Sequence, residues 1–517
     1  MAMQRATKLT LFLLLLLRFG AVAQPADALP RSTPEAEGVS PDSIAHFLDA
    51  VERSNNEFHS FMMLRHGKVI AEGWWNPYRP DLRHTMYSVS KSFTATAIGF
   101  AVSEKRLTVE DKVVLFFPTE VPANISPYMA ELRVRDLLSM SAGQEPDPTS
   151  AIVPKDSNWV KAFLSTPILH KPGTKFLYNS MCTYMLSAIV QKVTGEKVVD
   201  YLTPRLFTPL GIVGMDWETD PRGTNVGGWG LRIKTEDMAK FGQLFLQKGQ
   251  WQGQQVLPAD WVEAASTLKI IQHPELPEEK RASSDWEQGY CYQMWRCRHN
   301  AYRGDGAFGQ FIIVMPDQDA VIVVTSETAN MQDELDLIWK HLLPGIAQGP
   351  LPMRKRTGMP LRQQLASLAL PRPEKGMGDP VATKLRISDK TFSLVANELS
   401  AQSASFLFKE KACQLTLKTK TETFKLVFGA DRWIKGETTK RGPNLVARAL
   451  GHFVGLPPAK VAGIYRWIDP NTLELRLRYI ESPHTETFTC RFDQTQVLME
   501  IRNSFDKSKS VELKGNF

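Results

Sequence analysis

The sequence predicts two folded units: an α/β (α+β) domain whose sheet brackets a large helical insertion, and a smaller all-β domain behind it. Three observations carry this. Residues 61–64 and 69–74, joined by the turn pair His66-Gly67, read as a β-hairpin, and residues 289–297, 308–315 and 320–325 supply three strands far downstream. Between them, residues 104–260 carry mostly helical periodicity broken by proline and glycine. After residue 383 the apolar period falls to two, clearest where Leu473, Leu475, Leu477 and Tyr479 alternate with Glu474, Arg476 and Arg478. At 517 residues the chain exceeds what one hydrophobic core usually serves.

Taken in order, the chain opens with Arg5 and Lys8 ahead of an apolar run at 9–17, and Ala21-Val22-Ala23 then fits a small-residue cleavage site. Residues 1–23 are therefore expected to be a secretory signal peptide, which makes the mature protein periplasmic or secreted. The run is too short to span a bilayer. Ser40-Pro41 supplies an N-cap and a first-turn proline, and Ile44, Phe47, Leu48 and Val51 follow at helical spacing. The first domain is expected over 24–345. A proline-rich, basic linker with one short helix at 361–370 covers 346–383, and a small β barrel or sandwich covers 384–517. Its expected strands are 392–395, 406–408, 415–417, 424–428, 473–479, 488–492 and 497–501.

With 43% hydrophobic and 23% charged residues the chain is of the soluble globular type. The five cysteines (Cys182, Cys291, Cys297, Cys413, Cys490) are too few and too scattered for a disulfide framework; Cys413 and Cys490 could pair, but buried free thiols are expected. The ten histidines show no zinc spacing, so no metal or cofactor is expected. Residues 351–517 hold 28 Lys and Arg against 16 Asp and Glu, which leaves the first domain net acidic although the whole chain is +7. That basic part suits a solvated face, docking on the acidic domain, or an anionic cell-envelope polymer or membrane surface, with nothing pointing to nucleic acid. Oligomeric state is not legible.

The chemistry concentrates in His84-Thr85-Met86-Tyr87-Ser88-Val89-Ser90-Lys91-Ser92-Phe93. A helix starting near Ser88 sets Lys91 one turn beyond a serine hydroxyl. Serine needs a neighbour to take its proton, and burial together with the positive end of a helix disfavours the ammonium form of lysine. Free backbone N–H groups at the same helix end can face an oxyanion. Ser90 and Ser92 should point elsewhere.

Tyr87-Ser88-Val89-Ser90-Lys91-Ser92-Phe93-Thr94 closely resembles the first active-site motif of class C β-lactamases and of the related penicillin-binding proteins and family VIII esterases. The resemblance continues in order through Leu137-Leu138-Ser139-Met140-Ser141-Ala142-Gly143, Pro172-Gly173-Thr174-Lys175-Phe176-Leu177-Tyr178-Asn179-Ser180, Gly230-Leu231-Arg232-Ile233-Lys234-Thr235 and Gly306-Ala307-Phe308-Gly309-Gln310, over roughly residues 35 to 345. It implies a β-lactamase/transpeptidase-like antiparallel five-stranded sheet flanked by helices, with a helical subdomain and the active site between them. The C-terminal domain has a lipocalin-like pattern.

The resemblance implies Ser88 as nucleophile, Lys91 as its activator and Tyr178 as a general base that returns the proton to the leaving group. Relatives carry Tyr-x-Asn; here Tyr178-Asn179-Ser180 puts serine third, so the substrate contact of the amide passes to Asn179, to Ser180 or to another residue. Where relatives carry Lys-Thr-Gly or His-x-Gly, this chain has Arg303-Gly304-Asp305-Gly306-Ala307. Asp305 is either an acid facing the pocket or a turn residue, Arg303 or His299 is the candidate replacement cation, and the backbone N–H near Ala307 is the candidate second oxyanion donor. Tyr290, Tyr292, Trp295 and Arg296 either line a cleft or fill the core. The expected function is an exported serine hydrolase acting on a small-molecule or peptide acyl substrate, an ester or amide, through a Ser88 acyl-enzyme. The alternatives are a D-amino-acid peptidase or weak β-lactamase and, from another class, a non-catalytic cell-envelope binding protein on the same fold.

Overall fold

The hairpin forms from Glu57–Arg65 and Lys68–Trp74, and the late strands return beside it in the order Lys68–Trp74, Glu57–Arg65, Ala320–Glu327, Gln310–Met315, Tyr302–Gly306, Trp295–Arg296, every pair antiparallel. The computed structural model describes residues 28–352, 359–374, 376–446, 456–506 and 508–517. The expected leader, 1–23, lies outside the described residues.

Successive strand residues face opposite layers. Met62, Leu64, Ile312, Val314, Val321 and Val323 point to a core shared with Phe93 of the helix Ser90–Ser103 and Phe241 of the helical insertion. Phe61, Met63, Phe311, Ile313, Ile322 and Val324 point the other way, to a core shared with Phe47 and Leu48 of the first helix, Pro41–Arg53, and with Leu335 and Ile338 of Met331–His341. Burial on both faces explains why these strands read as apolar runs without alternation. The segment expected as a strand at 289–297 keeps only Trp295–Arg296, because Gly289 (φ 106°) and Gln293 (φ 59°) turn the chain and leave Tyr290 bridging Ile270 and Trp295. The sheet thus has five full strands and a two-residue sixth at its edge.

The C-terminal domain is a barrel. Strands Thr391–Leu394, Ala401–Lys409, Ala412–Thr419, Thr423–Gly429, Ala459–Asp469, Thr472–Tyr479, Thr485–Asp493, Gln496–Asn503 and Ser510–Asn516 form a ring closed where Gly429 meets Ile464. Ile434–Thr438 pairs outside that ring on Ala459–Asp469. Phe392, Phe406, Phe428, Trp467, Leu475, Phe488 and Met499 fill the interior. Three strands escaped the sequence reading. Ala459–Asp469 hides its period because its outer face is also covered: Ala462, with Ile480, belongs to the first domain's core. Ser510–Asn516 buries only Leu513 and Ile434–Thr438 only Thr438, too little to show alternation. All five cysteines are buried free thiols.

The connecting segment is strapped to the first domain rather than hanging free. Its helix is Leu361–Ala366, shorter than expected, and the chain behind it pairs with Asn76 through Leu368 O and Leu370 N at 3.0 Å each, with Leu361 and Leu370 buried. A further helix, Val381–Ile387, leads into the barrel.

The barrel docks through charge. Arg478, 7% exposed, donates two hydrogen bonds to Glu57 (2.5 and 3.2 Å). Burial pushes the Glu57 carboxyl up, but the Arg478 charge and His59 hold it far below the usual carboxylate range. Thr85 N donates to Glu481 O at 3.0 Å, Tyr78 Oη to Ser482 O at 2.8 Å, and Arg83 reaches the Glu481 carboxylate at 3.2 Å. Removing one partner of a buried ion pair costs about 3–5 kcal/mol, and the partial exposure of Glu57 places Arg478→Ala at the lower end of that range. Denaturant unfolding should show a loss of about 3 kcal/mol for this variant; an unchanged midpoint would mean that the docking does not depend on the pair.

Candidate active site

Ser88 sits in a 3₁₀ turn, Tyr87–Val89, and the α-helix proper starts at Ser90 and runs to Ser103. The expected helix start at Ser88 is therefore displaced by one turn of tighter winding. Tyr87 holds φ 46°, a left-handed conformation that costs a bulky residue about 1–3 kcal/mol. The turn is pinned from two sides: Met86 N donates to Leu231 O at 2.9 Å, and Gly306 passes so close that a Cβ there would lie 2.3 Å from Met86 O. Ser88 remains half-buried, while Ser90 accepts from Leu231 N and Ser92 donates to Gln293 O, both buried away from it.

Lys91 is 1% exposed. Its Nζ lies 3.1 Å from Ser88 Oγ, 3.1 Å from Ser180 Oγ and 2.6 Å from Gly228 O. Burial lowers the amine from its ordinary value to about 7, against the smaller opposing pull of Asp147, Cys182 and Asp305. A neutral amine has two N–H donors and one lone pair. Those three neighbours suit it well: N–H to Gly228 O, N–H to Ser180 Oγ, and the lone pair for the Ser88 proton.

The Tyr178 ring lies 5.0 Å from Lys91 Nζ and stacks on Trp295 at 5.6 Å. Burial pushes its phenol up, opposed by a hydrogen bond with Ser88. The expectation of an easily formed phenolate gives way here, because burial disfavours the charged phenolate more than the Ser88 hydrogen bond and Arg303 favour it. Tyr178 keeps its proton.

The remaining candidates separate. Ser180 occupies the third motif position and meets Lys91, whereas Asn179, 1% exposed, is the N-cap of Ser180–Thr194: its Oδ1 accepts from Met181 N and Cys182 N and its Nδ2 donates to Gln144. A substrate contact through Asn179 is thereby ruled out. Arg303 is fully buried over Trp286, donating to Asp285 O and Cys297 Sγ and pairing with Asp305 at 2.8 Å, so it is no substitute cation for a substrate. His299 is on an exposed turn against Trp339, facing another part of the molecule. Asp305 leaves 9% of its side chain exposed and its charge is felt at both Lys91 and Tyr178; burial raises its carboxyl, and Arg303 opposes that. Gly306 serves close packing rather than binding, and Ala307 follows half-buried at the turn. Tyr290 and Trp295 are core, while Tyr292 and Arg296 are half-buried.

Two contributors escaped the sequence reading. Gly228, whose carbonyl accepts from Lys91, lies in Val226-Gly227-Gly228-Trp229-Gly230, a glycine cluster that was the available signal. Asp147, felt at Lys91 and Tyr178, had none. Among the described residues no group of three His, Cys, Asp or Glu is placed to hold a metal.

Comparison with known proteins places this geometry in a family. The chain is 29% identical over 316 residues to the 6-aminohexanoate-dimer hydrolase of Paenarthrobacter ureafaciens, covering 57% of this chain and 79% of that protein. It is 29% identical over 164 residues to Protein flp of Staphylococcus aureus strain MW2, spanning 29% of this chain and 33% of that one. The octameric penicillin-binding protein homologue from Pyrococcus abyssi superposes with a TM-score of 0.48 at 13% identity, over 91% of this chain and 99% of that chain. The beta-lactamase family model matches residues 59–343, more than half of the chain, and the chain accordingly belongs to the beta-lactamase family of serine hydrolases.

Proposed function

We propose that this protein is an exported hydrolase that cleaves an ester or amide through an acyl-enzyme on Ser88. The observation that carries the reading is the buried Lys91 amine, lowered to about 7 and 3.1 Å from the Ser88 hydroxyl. Lys91 accepts the Ser88 proton as Oγ attacks the carbonyl, and the backbone N–H groups of Ser88 and Ala307 stabilise the oxyanion. Tyr178, held in its protonated form beside Ser88, delivers a proton to the departing alcohol or amine. Water then takes the leaving group's place, and the same groups run in reverse to release the acid.

Charge narrows the substrate. The strand position that would offer a cation carries Gly304-Asp305-Gly306, and the guanidinium of Arg303 is spent internally on Asp305, Asp285 and Cys297. With Asp147 and Asp305 both felt at the site, an acyl group without a carboxylate fits better than a penicillin or a peptide with a free carboxyl end. Export rests on the charged and apolar pattern of residues 1–23. Of the basic barrel residues, Lys440, Arg466 and Arg476 pair with acids of the barrel itself, and Arg478 pairs with Glu57 of the first domain, which ties that last charge to internal docking rather than to an envelope surface.

A fluorophosphonate probe should label the full-length protein at Ser88, and a p-nitrophenyl ester should be cleaved. Ser88→Ala should abolish both, and Ser90→Ala should retain labelling; equal activity in the two variants would overturn the assignment. The pH profile of kcat/KM should carry a rising limb with an apparent pKa of about 7, because protonated Lys91 cannot accept a proton and activity is lost as pH falls through that value. A profile flat down to pH 5, or a limb near 10, would remove Lys91 from the role. Lys91→Met should lower kcat by at least about 10³-fold, in line with loss of a base that activates a nucleophile.

A further inference from the structure

The barrel sends one side chain to the catalytic turn. His484 lies beyond the end of Thr472–Tyr479 and is fully buried. Its Nε2 meets the Tyr87 hydroxyl at 2.5 Å and its Nδ1 meets Glu327 Oε1 at 2.6 Å. Glu327 ends the central strand Ala320–Glu327, and the same Oε1 also accepts from Ser504 Oγ at 2.6 Å, which fixes that oxygen beside the ring. A carboxylate can only accept, so Nδ1 is the donor to it, and in the neutral ring Nε2 is then the nitrogen that accepts from the Tyr87 hydroxyl. Burial pushes the Tyr87 phenol up, which keeps the proton needed for that bond. The Tyr87 oxygen also accepts from Leu445 N of the barrel at 3.4 Å.

The imidazole touches the other side of the site as well. The Phe308 ring meets it edge-on at 4.8 Å and the Phe505 ring covers it at 4.4 Å, while Phe308 also packs on Tyr87 at 5.5 Å. Tyr87 immediately precedes Ser88, and Phe308 immediately follows Ala307. Both hold left-handed backbones, φ 46° and φ 66°, that neither side chain adopts without support. One histidine from the second domain thus braces the two strained residues adjoining the proposed oxyanion donors.

We propose that His484 is a positioning residue for the Ser88 site: through Tyr87 and Phe308 it holds the nucleophile turn and the Ala307 turn in register, which makes the barrel a working part of the hydrolase. The role rests on the reading of Ser88 as nucleophile. Displacements of an ångström at a reacting group cost rate rather than binding, so the signature is in kcat.

The test compares full-length His484→Ala, Tyr87→Phe, the double variant and His484→Gln. Readouts are the rate of fluorophosphonate labelling at Ser88, kcat and KM on a p-nitrophenyl ester, and backbone hydrogen exchange of residues 84–93 and 304–310. His484→Ala and Tyr87→Phe should each lower kcat about 10–100-fold with KM within about 3-fold, and the double variant should be no worse than the poorer single one. His484→Gln, which can still accept from Tyr87, should recover most of the rate. Exchange in both segments should rise in His484→Ala. Wild-type kcat in both single variants, or multiplied losses in the double variant, would overturn the proposal while leaving Ser88 as nucleophile. A wild-type protein that is never labelled would overturn the hydrolase reading instead, and the exchange measurement then decides on its own whether His484 holds the two turns.

Discussion

The desolvation of one amine organises the first domain. Lys91 enters from the helix that starts at Ser90 and is 1% exposed: the Gly228 carbonyl, Ser180 and Ser88 take its polar contacts, and the Tyr178 ring lies 5.0 Å from its Nζ. Each neighbour is in turn held by packing. Thr94 Oγ1 donates to Gly227 O at 3.0 Å, and Asn179 caps the helix that presents Ser180. The arrangement is costly to stability. A lysine lowered to about 7 must give up a proton that the unfolded chain would keep below about pH 10.5. The penalty is absent above that pH, grows as pH falls towards 7 and is complete below it, at about 4–5 kcal/mol by linkage. The cores on both sheet faces offset it, and the return is a base poised near neutrality.

The second domain completes this picture because the strain at the site lies on the side the barrel covers. Tyr87 and Phe308 take left-handed backbones; Ser326 Oγ and Thr328 N donate to Phe308 O within the first domain, and His484, Leu445 and Phe505 add contacts to the two side chains from beyond residue 440. The same docking surface carries Arg478 on Glu57 and Glu481 beside Arg83 and Thr85, so the strand leading into Ser88 is clamped from the barrel side. Charge asymmetry between the two halves of the chain thus finds part of its use inside the molecule.

The sheet, the helical insertion and the Ser88–Lys91 spacing were legible because each rests on a local pattern: apolar runs for strands buried on two faces, and one helical turn between two side chains. What was hidden was long-range. Ala459–Asp469 lost its alternation to a second buried face, and residues 289–297 turned at Gly289 and Gln293 despite a strand-like composition. Arg303 read as a candidate cation because its charge is visible in sequence, while its partners Asp285 and Cys297 come together only in the fold. Asn179 carries the amide the motif led one to expect, and one step of register hands it to helix capping and gives Ser180 the place beside Lys91.

The account stands on the ionisation of that one side chain. Protein labelled with ¹³C at lysine Cε, with the Lys91 signal assigned by its loss in Lys91→Met, allows the amine to be titrated directly by NMR, independent of any substrate. A midpoint near pH 7, well apart from the surface lysines, is the predicted result. A midpoint near 10, with the surface lysines, would contradict it.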